Sequence, residues 1–346
     1  MQWATGNVGR RALREVIRHP GLDLVGVRVY DPTKVGRDAG TLCGEAPTGV
    51  LATDSDDAIL ALDADCVLYM PAALDLDLLC ALLQSGTDVV TTRGELAVDG
   101  SRLGPTDRAR VLEACATGGT SVYATGSSPG FITEILPFAF LSLQRRPTAV
   151  RIWEFADMSR RDSPQMIFDL MGFGRPPGAS PEGRVRHLLG DFAVSLSLLA
   201  DAAGWSIDTW RGSGDVALAR GDTRTAAGTL TAGTVGAQRT TIVGLQDGSE
   251  KVAFTACWYL TRDLDHDWDL GATGWRMQVD GEAPFSLDLA FPVPLEDLND
   301  WTPAYTANRP VNAVPYVRAA APGILTALDL PIVVPAGPLP PVDRAV

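Results

Sequence analysis

Histidine and lysine are scarce in this sequence of 346 residues. The three histidines, His19, His187 and His266, lie far apart and offer neither a metal-binding pair nor a partner for a nucleophilic serine. The two lysines, Lys34 and Lys251, leave few groups for Schiff-base chemistry. The sequence therefore predicts no metal site and disfavours serine or zinc hydrolysis.

Paired cysteines, long apolar runs and positive charge are also lacking. The five cysteines include no Cys-x-x-Cys pair, so neither a disulfide framework nor a thiolate zinc site is expected, and a reducing cytoplasm is favoured. No apolar run approaches the roughly 20 residues that cross a bilayer. Because 42 acidic residues outnumber 29 basic ones, we expect the chain to bind neither nucleic acid nor an anionic membrane.

The first part of the chain alternates short β-branched runs with helical patterns, which is typical of a Rossmann-type doubly wound α/β fold. Strands are predicted near residues 1–4, 23–30, 65–70, 88–92 and 121–126. Helices are predicted from Gly9 to about residue 18, and at 56–62, 74–84, 106–117 and 131–143. This order predicts a parallel sheet with helices on both faces.

The pattern changes after residue 147 and predicts a second, α+β domain built on a mainly antiparallel sheet. A strand is predicted at 148–158, a helix at 181–203, and hairpins over 222–292 with turns at Asp247-Gly248 and Asp280-Gly281. After a loop, a helix near 311–328 is expected to pack back on the first domain. The predicted domains are 1–130 plus 305–346 for dinucleotide binding, and 131–304 for substrate binding and dimerisation.

The strongest local motif is Ala4-Thr5-Gly6-Asn7-Val8-Gly9, a variant of Gly-x-Gly-x-x-Gly between a strand and an amphipathic helix. Gly6 would let the backbone approach a pyrophosphate, and Gly9 would allow close packing of the helix on the strand. The free N–H groups of the helix would bind phosphate. The motif predicts cofactor contacts from Thr5 through Gly9, although a tight turn without a ligand gives the same pattern.

The choice between NAD and NADP stays open. Asp31 lies 22 positions after Gly9, near the spacing at which a carboxylate binds the adenosine ribose of NAD. Arg28, Lys34 and Arg37 flank the same edge and would suit the 2′-phosphate of NADP.

In open parallel sheets, ligands bind beyond the carboxyl ends of the strands. The third strand ends at Met70 and Pro71, which are assigned to cofactor binding. Glu95 follows the next strand and is the candidate general base, since burial by a closing second domain would raise its pKa. A solvated loop glutamate is the alternative.

The loop after the last of these strands runs from Gly126 to Phe131 and opens a helix. Ser127, Ser128 and Phe131 are the candidate substrate residues in it, because free N–H groups at a helix start suit a polar ligand. Trp153 is a further candidate as the wall of an apolar pocket, although such aromatic residues more often belong to a core.

Several motifs resemble the dihydrodipicolinate-reductase-like proteins, a group that contains 2,4-diaminopentanoate dehydrogenase and the native amine dehydrogenases. They extend over nearly the whole chain: residues 2–11 around the glycine turn, 35–40, 65–71, 127–131 and 308–315. A true dihydrodipicolinate reductase would carry a His-His pair followed by lysine, which this sequence lacks.

The resemblance implies NAD(P)-dependent oxidative deamination of a small amine, reversible as reductive amination of an aldehyde or ketone with ammonia. It also implies a homodimer whose second-domain sheets meet, Glu95 as the acid/base, and Asn312 close to the cofactor. Two positions depart from the group: Ala4 replaces a glycine, and Ser127-Ser128 replace an apolar-Asn pair found in some relatives. The second departure puts the substrate contacts in doubt.

Two alternatives to an amine dehydrogenase follow from the same residues. One is a dehydrogenase of a carboxylate-bearing diamino or hydroxy acid, which would require Arg160 or Arg161 in the crevice. The other is a non-catalytic NAD(P)-binding sensor, which would keep the glycine turn but would not need Glu95.

Overall fold

The computed structural model describes residues 1–178 and 181–335. The strands are β1 (Gln2–Trp3), β2 (Val27–Arg28), β3 (Ala52–Thr53), β4 (Cys66–Tyr69), β5 (Asp88–Thr91), β6 (Ser121–Ala124), β7 (Pro147–Asp157), β8 (Thr209–Leu218), β9 (Thr223–Thr225), β10 (Gly228–Leu230), β11 (Val235–Gln246), β12 (Ser249–Tyr259), β13 (Gly274–Gly281), β14 (Phe285–Ala290) and β15 (Gly323–Leu325). The helices are α1 (Asn7–Arg18), α2 (Ala39–Cys43), α3 (Asp56–Leu60), α4 (Leu76–Gln84), α5 (Pro105–Gly118), α6 (Leu136–Leu141), α7 (Glu182–Ala202) and α8 (Leu298–Ala319).

The chain forms two compact units. Unit 1 comprises Met1–Phe131 and the chain from Thr302 onward, and unit 2 comprises Ile132–Trp301. Residues 336–346, which the sequence analysis assigned to the first domain, lie outside the described part of the chain.

Unit 1 is built on a seven-stranded parallel sheet with the order β15-β6-β5-β4-β1-β2-β3. Val67 and Tyr69 of β4 pack in a cluster with α4 and α5, whereas Cys66 and Leu68 pack in a cluster with α1 and α8. Because successive side chains point to opposite faces, both faces of the sheet are covered and the residues of its central strands β4, β5 and β6 are all buried. The predicted doubly wound sheet is confirmed.

Unit 2 is built on a six-stranded sheet with the order β14-β13-β7-β12-β11-β8, in which only the β7–β12 pairing is parallel. Leu188, Phe192 and Leu196 of α7 pack against Ile152 of β7 and Phe254 of β12. We call this the helix face of the sheet and the opposite side the open face. The predicted mainly antiparallel sheet is confirmed.

Some predicted boundaries were wrong. The strand predicted at 23–30 forms a ladder only at Val27–Arg28. The helix predicted at 131–143 is regular only at Leu136–Leu141, since Ser128, Pro129 and Gly130 have non-helical backbone angles in the irregular segment that precedes it.

Strand β8 was not predicted because it contains glycines that usually weaken a strand. A Cβ atom at Gly212 would lie 2.1 Å from Val185 Cγ1, and one at Gly214 would lie 2.5 Å from Pro181 Cβ. These glycines let the start of α7 lie close against the edge strand.

The helix predicted near 311–328 is present and packs in unit 1 as expected, but its bounds and the loop predicted before it were wrong. Helix α8 begins at Leu298, ends at Ala319 and contains three prolines, and Gly323–Leu325 forms β15 parallel to β6. An interior proline costs a helix about 3 kcal/mol. Ala307, Val311, Val314 and Val317 are buried along one face of α8, and each fully buried valine returns about 1.5–3 kcal/mol. The burial of these side chains therefore returns free energy of the same order as the prolines cost, which the local sequence does not reveal.

Candidate active site

The turn after β1 has a left-handed residue where dinucleotide folds usually place glycine. Ala4 has φ of +71°, a conformation that costs a non-glycine residue about 1–2 kcal/mol. The buried side-chain amide of Gln2 donates hydrogen bonds to the carbonyl oxygens of Trp3 at 3.2 Å and Ala4 at 2.9 Å. These bonds hold the turn and explain how alanine is accommodated there.

The two glycines of the turn have different structural environments. A Cβ atom at Gly9 would lie 2.2 Å from the carbonyl oxygen of Ala4, so the packing of α1 on the turn requires glycine. Gly6 has an ordinary φ of −70°, and a Cβ atom there would have no atom within 4 Å. The fold does not require glycine at position 6, so its bare backbone is available to a ligand.

The N-terminus of α1 carries the partial positive charge of the helix dipole, and no side chain of the turn neutralises it. No side chain caps it and no acidic residue lies in its first turn. The side chain of Asn7 accepts a hydrogen bond from Arg11. Lys34 Nζ donates to Thr5 O at 3.1 Å and to Thr5 Oγ1 at 3.3 Å, which adds a positive charge beside the turn. Free N–H groups, the helix dipole and an ammonium together fit a diphosphate.

Val8 and Asn312 belong to elements that meet beside the turn. Val8 packs in the same apolar cluster as Val311 of α8. Asn312 follows Val311 directly on this helix and is partly buried. The structure thus brings α8 to the helix that begins at the glycine turn.

The charged residues at the end of β2 and just after it differ in whether they already have an ion-pair partner. Arg28 Nε donates to Asp56 Oδ1 at 2.9 Å, and its guanidinium lies 3.9 Å from the centre of the Tyr30 ring. Asp31 is exposed, and its Oδ1 accepts hydrogen bonds from Thr33 Oγ1 at 2.7 Å and Thr33 N at 2.9 Å. These bonds, the hydroxyl first, lower the pKa of Asp31, so this carboxylate is ionised and keeps acceptor capacity for ribose hydroxyls.

The loops after β4 and β5 are tied together by Arg93. Its NH1 donates to the carbonyl oxygen of Ala72 at 2.6 Å, next to the buried Met70 and Pro71. Its NH2 donates to Glu95 Oε1 in an ion pair. Sequence reasoning had singled out Glu95 and passed over Arg93, although both lie in the same turn after β5.

The expected rise in the pKa of Glu95 is not what this structure shows. Desolvation favours a higher pKa, but hydrogen bonds from its own backbone and from Arg93, with the charges of Arg93 and Arg102, outweigh it and lower the pKa. The side chain of Glu95 is 32% exposed. The carboxylate is therefore held ionised by its backbone hydrogen bond and by Arg93.

The end of β6 brings hydroxyl groups together. Ser127 Oγ lies 2.7 Å from Thr306 Oγ1 of α8, and Phe131 N donates to Gly126 O at 2.9 Å. The hydroxyl oxygens of Thr125 and Ser128 are buried and have no hydrogen-bond partner within residues 1–178 and 181–335. Thr125 was missed in the sequence, where its position directly after the strand was the available signal. Buried hydroxyls without partners are suited to a polar ligand group.

Trp153 lies on the open face of the unit 2 sheet. It follows Ile152, which packs against α7, and successive strand residues alternate in direction. Arg160 is exposed, whereas Arg161 is partly buried and desolvation lowers its pKa.

Within the described residues, no group of three or more His, Cys, Asp or Glu side chains is arranged to hold a metal ion. No described helix combines the length and apolar character needed to cross a membrane. All five cysteines are free and buried.

A parallel sheet with a glycine turn at its first strand, joined to an α+β unit, defines a dehydrogenase of the Rossmann class. Residues 180–337 match the model of the 2,4-diaminopentanoate dehydrogenase C-terminal domain. The chain is 31% identical over 344 residues to an amine dehydrogenase from Streptomyces virginiae. The alignment covers 95% of each protein. The chain belongs to the amine dehydrogenase family, which confirms the resemblance found in its motifs.

Solved structures show the same fold. The amine dehydrogenase from Mycobacterium smegmatis superposes with a TM-score of 0.74 at 20% identity, over 96% of each chain. A probable dehydrogenase from Thermotoga maritima superposes with a TM-score of 0.55 at 13% identity, over 95% of this chain and 92% of that one.

Proposed function

We propose that this protein is an NAD(P)-dependent amine dehydrogenase, which deaminates a small amine oxidatively and aminates an aldehyde or ketone with ammonia. The observation that carries the proposal is that unit 1 combines a glycine turn open to a ligand after β1 with an ionised glutamate after β5, two strands away in the same sheet. Full-length similarity to an amine dehydrogenase supports the amine as substrate.

Unit 1 would hold the dinucleotide. The turn from Thr5 to Gly9 would bind the diphosphate, Met70 and Pro71 would contact the cofactor beyond β4, and Asn312 would contact it from α8. A bound nicotinamide would supply the acceptor for the hydride that leaves the amine carbon.

We infer a preference for NAD over NADP. The ionised Asp31 would accept hydrogen bonds from ribose hydroxyls and repel a 2′-phosphate. Arg28 would attract a 2′-phosphate only weakly, because its guanidinium already pairs with Asp56. Lys34 and Arg37 are the remaining cations that would favour NADP.

Glu95 would act as the acid/base. Its carboxylate would take a proton from the substrate ammonium, or from the water that releases ammonia, and return it in the reverse direction. Arg93 would hold the carboxylate in place and ionised. Ser127, Ser128, Phe131 and the newly identified Thr125 would position the polar group of the substrate.

The test is oxidation of NADH and NADPH with a panel of short aldehydes and ketones, each with and without ammonia. We expect turnover that requires ammonia and is faster with NADH. Turnover without ammonia would replace the proposal with a hydroxy-compound dehydrogenase. Binding of NADH without turnover of any carbonyl compound, including oxo acids, would replace it with the sensor.

We further propose that the protein is a homodimer in the cytoplasm, joined through the open face of unit 2. Thr241 and Thr255, joined by a 2.9 Å hydrogen bond, lie at the middle of this face beside Ala253. Near one end of its central strands Arg151 pairs with Glu250 and Asp280, and on β13 Arg276 pairs with Asp269 and Asp288. An uncharged centre with a charged rim is typical of an interface between identical subunits. In this arrangement Trp153 would contact the second subunit rather than the substrate.

Thr241→Glu is expected to convert the dimer to a monomer, because it places a charge at the centre of the interface on both subunits. The measurement is molar mass by light scattering after gel filtration. Thr229→Glu on the exposed hairpin strand β10 is the matched control and should leave the dimer intact. An unmodified protein that is monomeric, or a Thr241→Glu variant that stays dimeric, would contradict this interface.

A further inference from the structure

An exposed tyrosine just after β2 is held on one side and open on the other. The guanidinium of Arg28 lies 3.9 Å from the centre of the Tyr30 ring, and the Tyr30 hydroxyl accepts a hydrogen bond from Trp3 Nε1 at 3.1 Å. Trp3 is fully buried, whereas Tyr30 is 54% exposed. A large aromatic ring is therefore anchored at its hydroxyl and on one face, while much of its surface stays in contact with solvent.

The cation that lies against this ring is itself fixed. Arg28 Nε donates to Asp56 Oδ1 at 2.9 Å, and its NH1 donates to the carbonyl oxygen of Val29 at 2.9 Å. The guanidinium also lies 5.5 Å from the centre of the Trp3 ring. Only 11% of the Arg28 side chain is exposed. Arg28 therefore supports the ring of Tyr30, to which a cation is attracted, and Asp56 holds Arg28 in that place.

Tyr30 lies where the adenosine half of a dinucleotide would bind. It directly precedes Asp31, whose ionised carboxylate is the candidate acceptor for ribose hydroxyls. Adenine is bonded to the ribose carbon beside the one that carries the 2′-hydroxyl, so the base would lie close to that carboxylate. Tyr30 is the most exposed aromatic residue among the described residues of unit 1. Because every base has a π-face, an exposed aromatic ring at this place suits stacking.

We propose that the open face of Tyr30 stacks on the adenine ring of the dinucleotide, and that Arg28 and Asp56 are positioning residues that hold Tyr30 for this contact. A ring that is already fixed loses little conformational freedom when the ligand binds, so more of the stacking energy contributes to affinity. This inference rests on the proposed function, because it assigns the base-binding half of the proposed cofactor site. It gives Arg28 an indirect role in place of the direct cofactor contact predicted from the sequence.

The first test compares NADH with reduced nicotinamide mononucleotide, which lacks the adenosine half, by fluorescence titration. Tyr30→Ala is expected to weaken NADH binding about 10- to 100-fold, the range for loss of one aromatic stacking partner, and to leave the affinity for the mononucleotide unchanged. Tyr30→Phe keeps the ring and should retain most of the affinity for NADH. Leu328→Ala is the matched control, because it truncates another side chain of unit 1 that is 54% exposed.

Two results of this titration would overturn the stacking role. One is a Tyr30→Ala variant that binds NADH as tightly as the unmodified protein. The other is an equal loss of affinity for NADH and for the mononucleotide, which would show a general disturbance of unit 1. If Tyr30→Ala does not fold, displacement of NADH from the unmodified protein by 5′-AMP and by ribose 5-phosphate decides. 5′-AMP is expected to bind about 10- to 100-fold more tightly, and equal affinities would refute stacking.

The second test concerns the positioning residues. Asp56→Asn is expected to weaken NADH binding when Tyr30 is present and to have no further effect in the Tyr30→Ala background, because its influence passes through the ring. Asp57→Asn removes the same charge from the neighbouring position in the first turn of α3 and should leave NADH binding unchanged in both backgrounds. An equal effect of Asp56→Asn in both backgrounds would exclude positioning of Tyr30 by Asp56.

These outcomes are distinct from failure of the proposed function. A protein that binds NADH through Tyr30 but turns over no carbonyl compound would refute the dehydrogenase and leave the stacking role intact. An active dehydrogenase whose Tyr30→Ala variant binds NADH normally would refute only the role of Tyr30.

Discussion

Glu95→Gln is expected to lower kcat by about 10²- to 10⁴-fold, the range for loss of a general acid/base. Glutamine keeps the size of the side chain and a hydrogen bond to Arg93, but it cannot take a proton. The affinity for NADH, measured by fluorescence titration, should be unchanged. Glu113→Gln on the exposed surface of α5 is the matched control.

A Glu95→Gln variant with nearly full kcat would exclude Glu95 as the acid/base. Loss of both turnover and NADH binding would indicate that the turn after β5 had lost its structure. Only the combination of lost turnover and retained binding supports catalysis by the carboxylate.

The same residue predicts the pH dependence of kcat. A backbone hydrogen bond and then Arg93 outweigh desolvation and lower the pKa of Glu95, so the active, ionised form is present at neutral pH and is lost only as the pH falls through this lowered pKa. Arg93→Met removes the ion pair, so the acid limb of kcat at saturating substrate should move to higher pH. Arg93→Lys keeps a positive charge and should leave the limb close to its original position.

The sequence predicted those parts of the molecule that depend on local patterns. The parallel sheet of unit 1 was predicted from short runs of β-branched residues that alternate with helical patterns. The hairpin at Asp247-Gly248 was predicted from its turn residues, and both of these have positive φ in the structure. The start of α8 could not be predicted, because burial of Val311, Val314 and Val317 offsets the cost of the prolines only in the folded chain.

The candidate site was predictable where it coincides with strand ends and unpredictable where it depends on side-chain partners. Glu95 follows from its position after β5, but the direction of its pKa depends on Arg93, whose side chain folds back onto it. The contact of Ser127 with Thr306 has no local signal either. The two residues are 179 positions apart in the chain, and only the packing of α8 in unit 1 brings them together.

The two glycines of the turn provide a second large effect, since one is needed for folding and the other for the ligand. Gly9→Ala places a methyl group 2.2 Å from the Ala4 carbonyl oxygen, which is backbone and cannot move freely. The free energy of unfolding should fall by about 1–3 kcal/mol or more, as measured by denaturant titration, and NADH binding should fail because α1 no longer closes on β1.

Gly6→Ala should leave the free energy of unfolding nearly unchanged, because a Cβ atom there meets nothing within 4 Å. The dissociation constant for NADH should nevertheless rise by about 10-fold or more, equivalent to about 1.4 kcal/mol, since the methyl group would occupy the approach of the diphosphate. Gly183→Ala in α7 is the matched control, because a Cβ atom there would also have no atom within 4 Å. It should neither weaken NADH binding nor lower the free energy of unfolding. A Gly6→Ala variant that binds NADH normally would show that the diphosphate lies elsewhere, whereas weakened binding in a stable protein would place it over the N-terminus of α1.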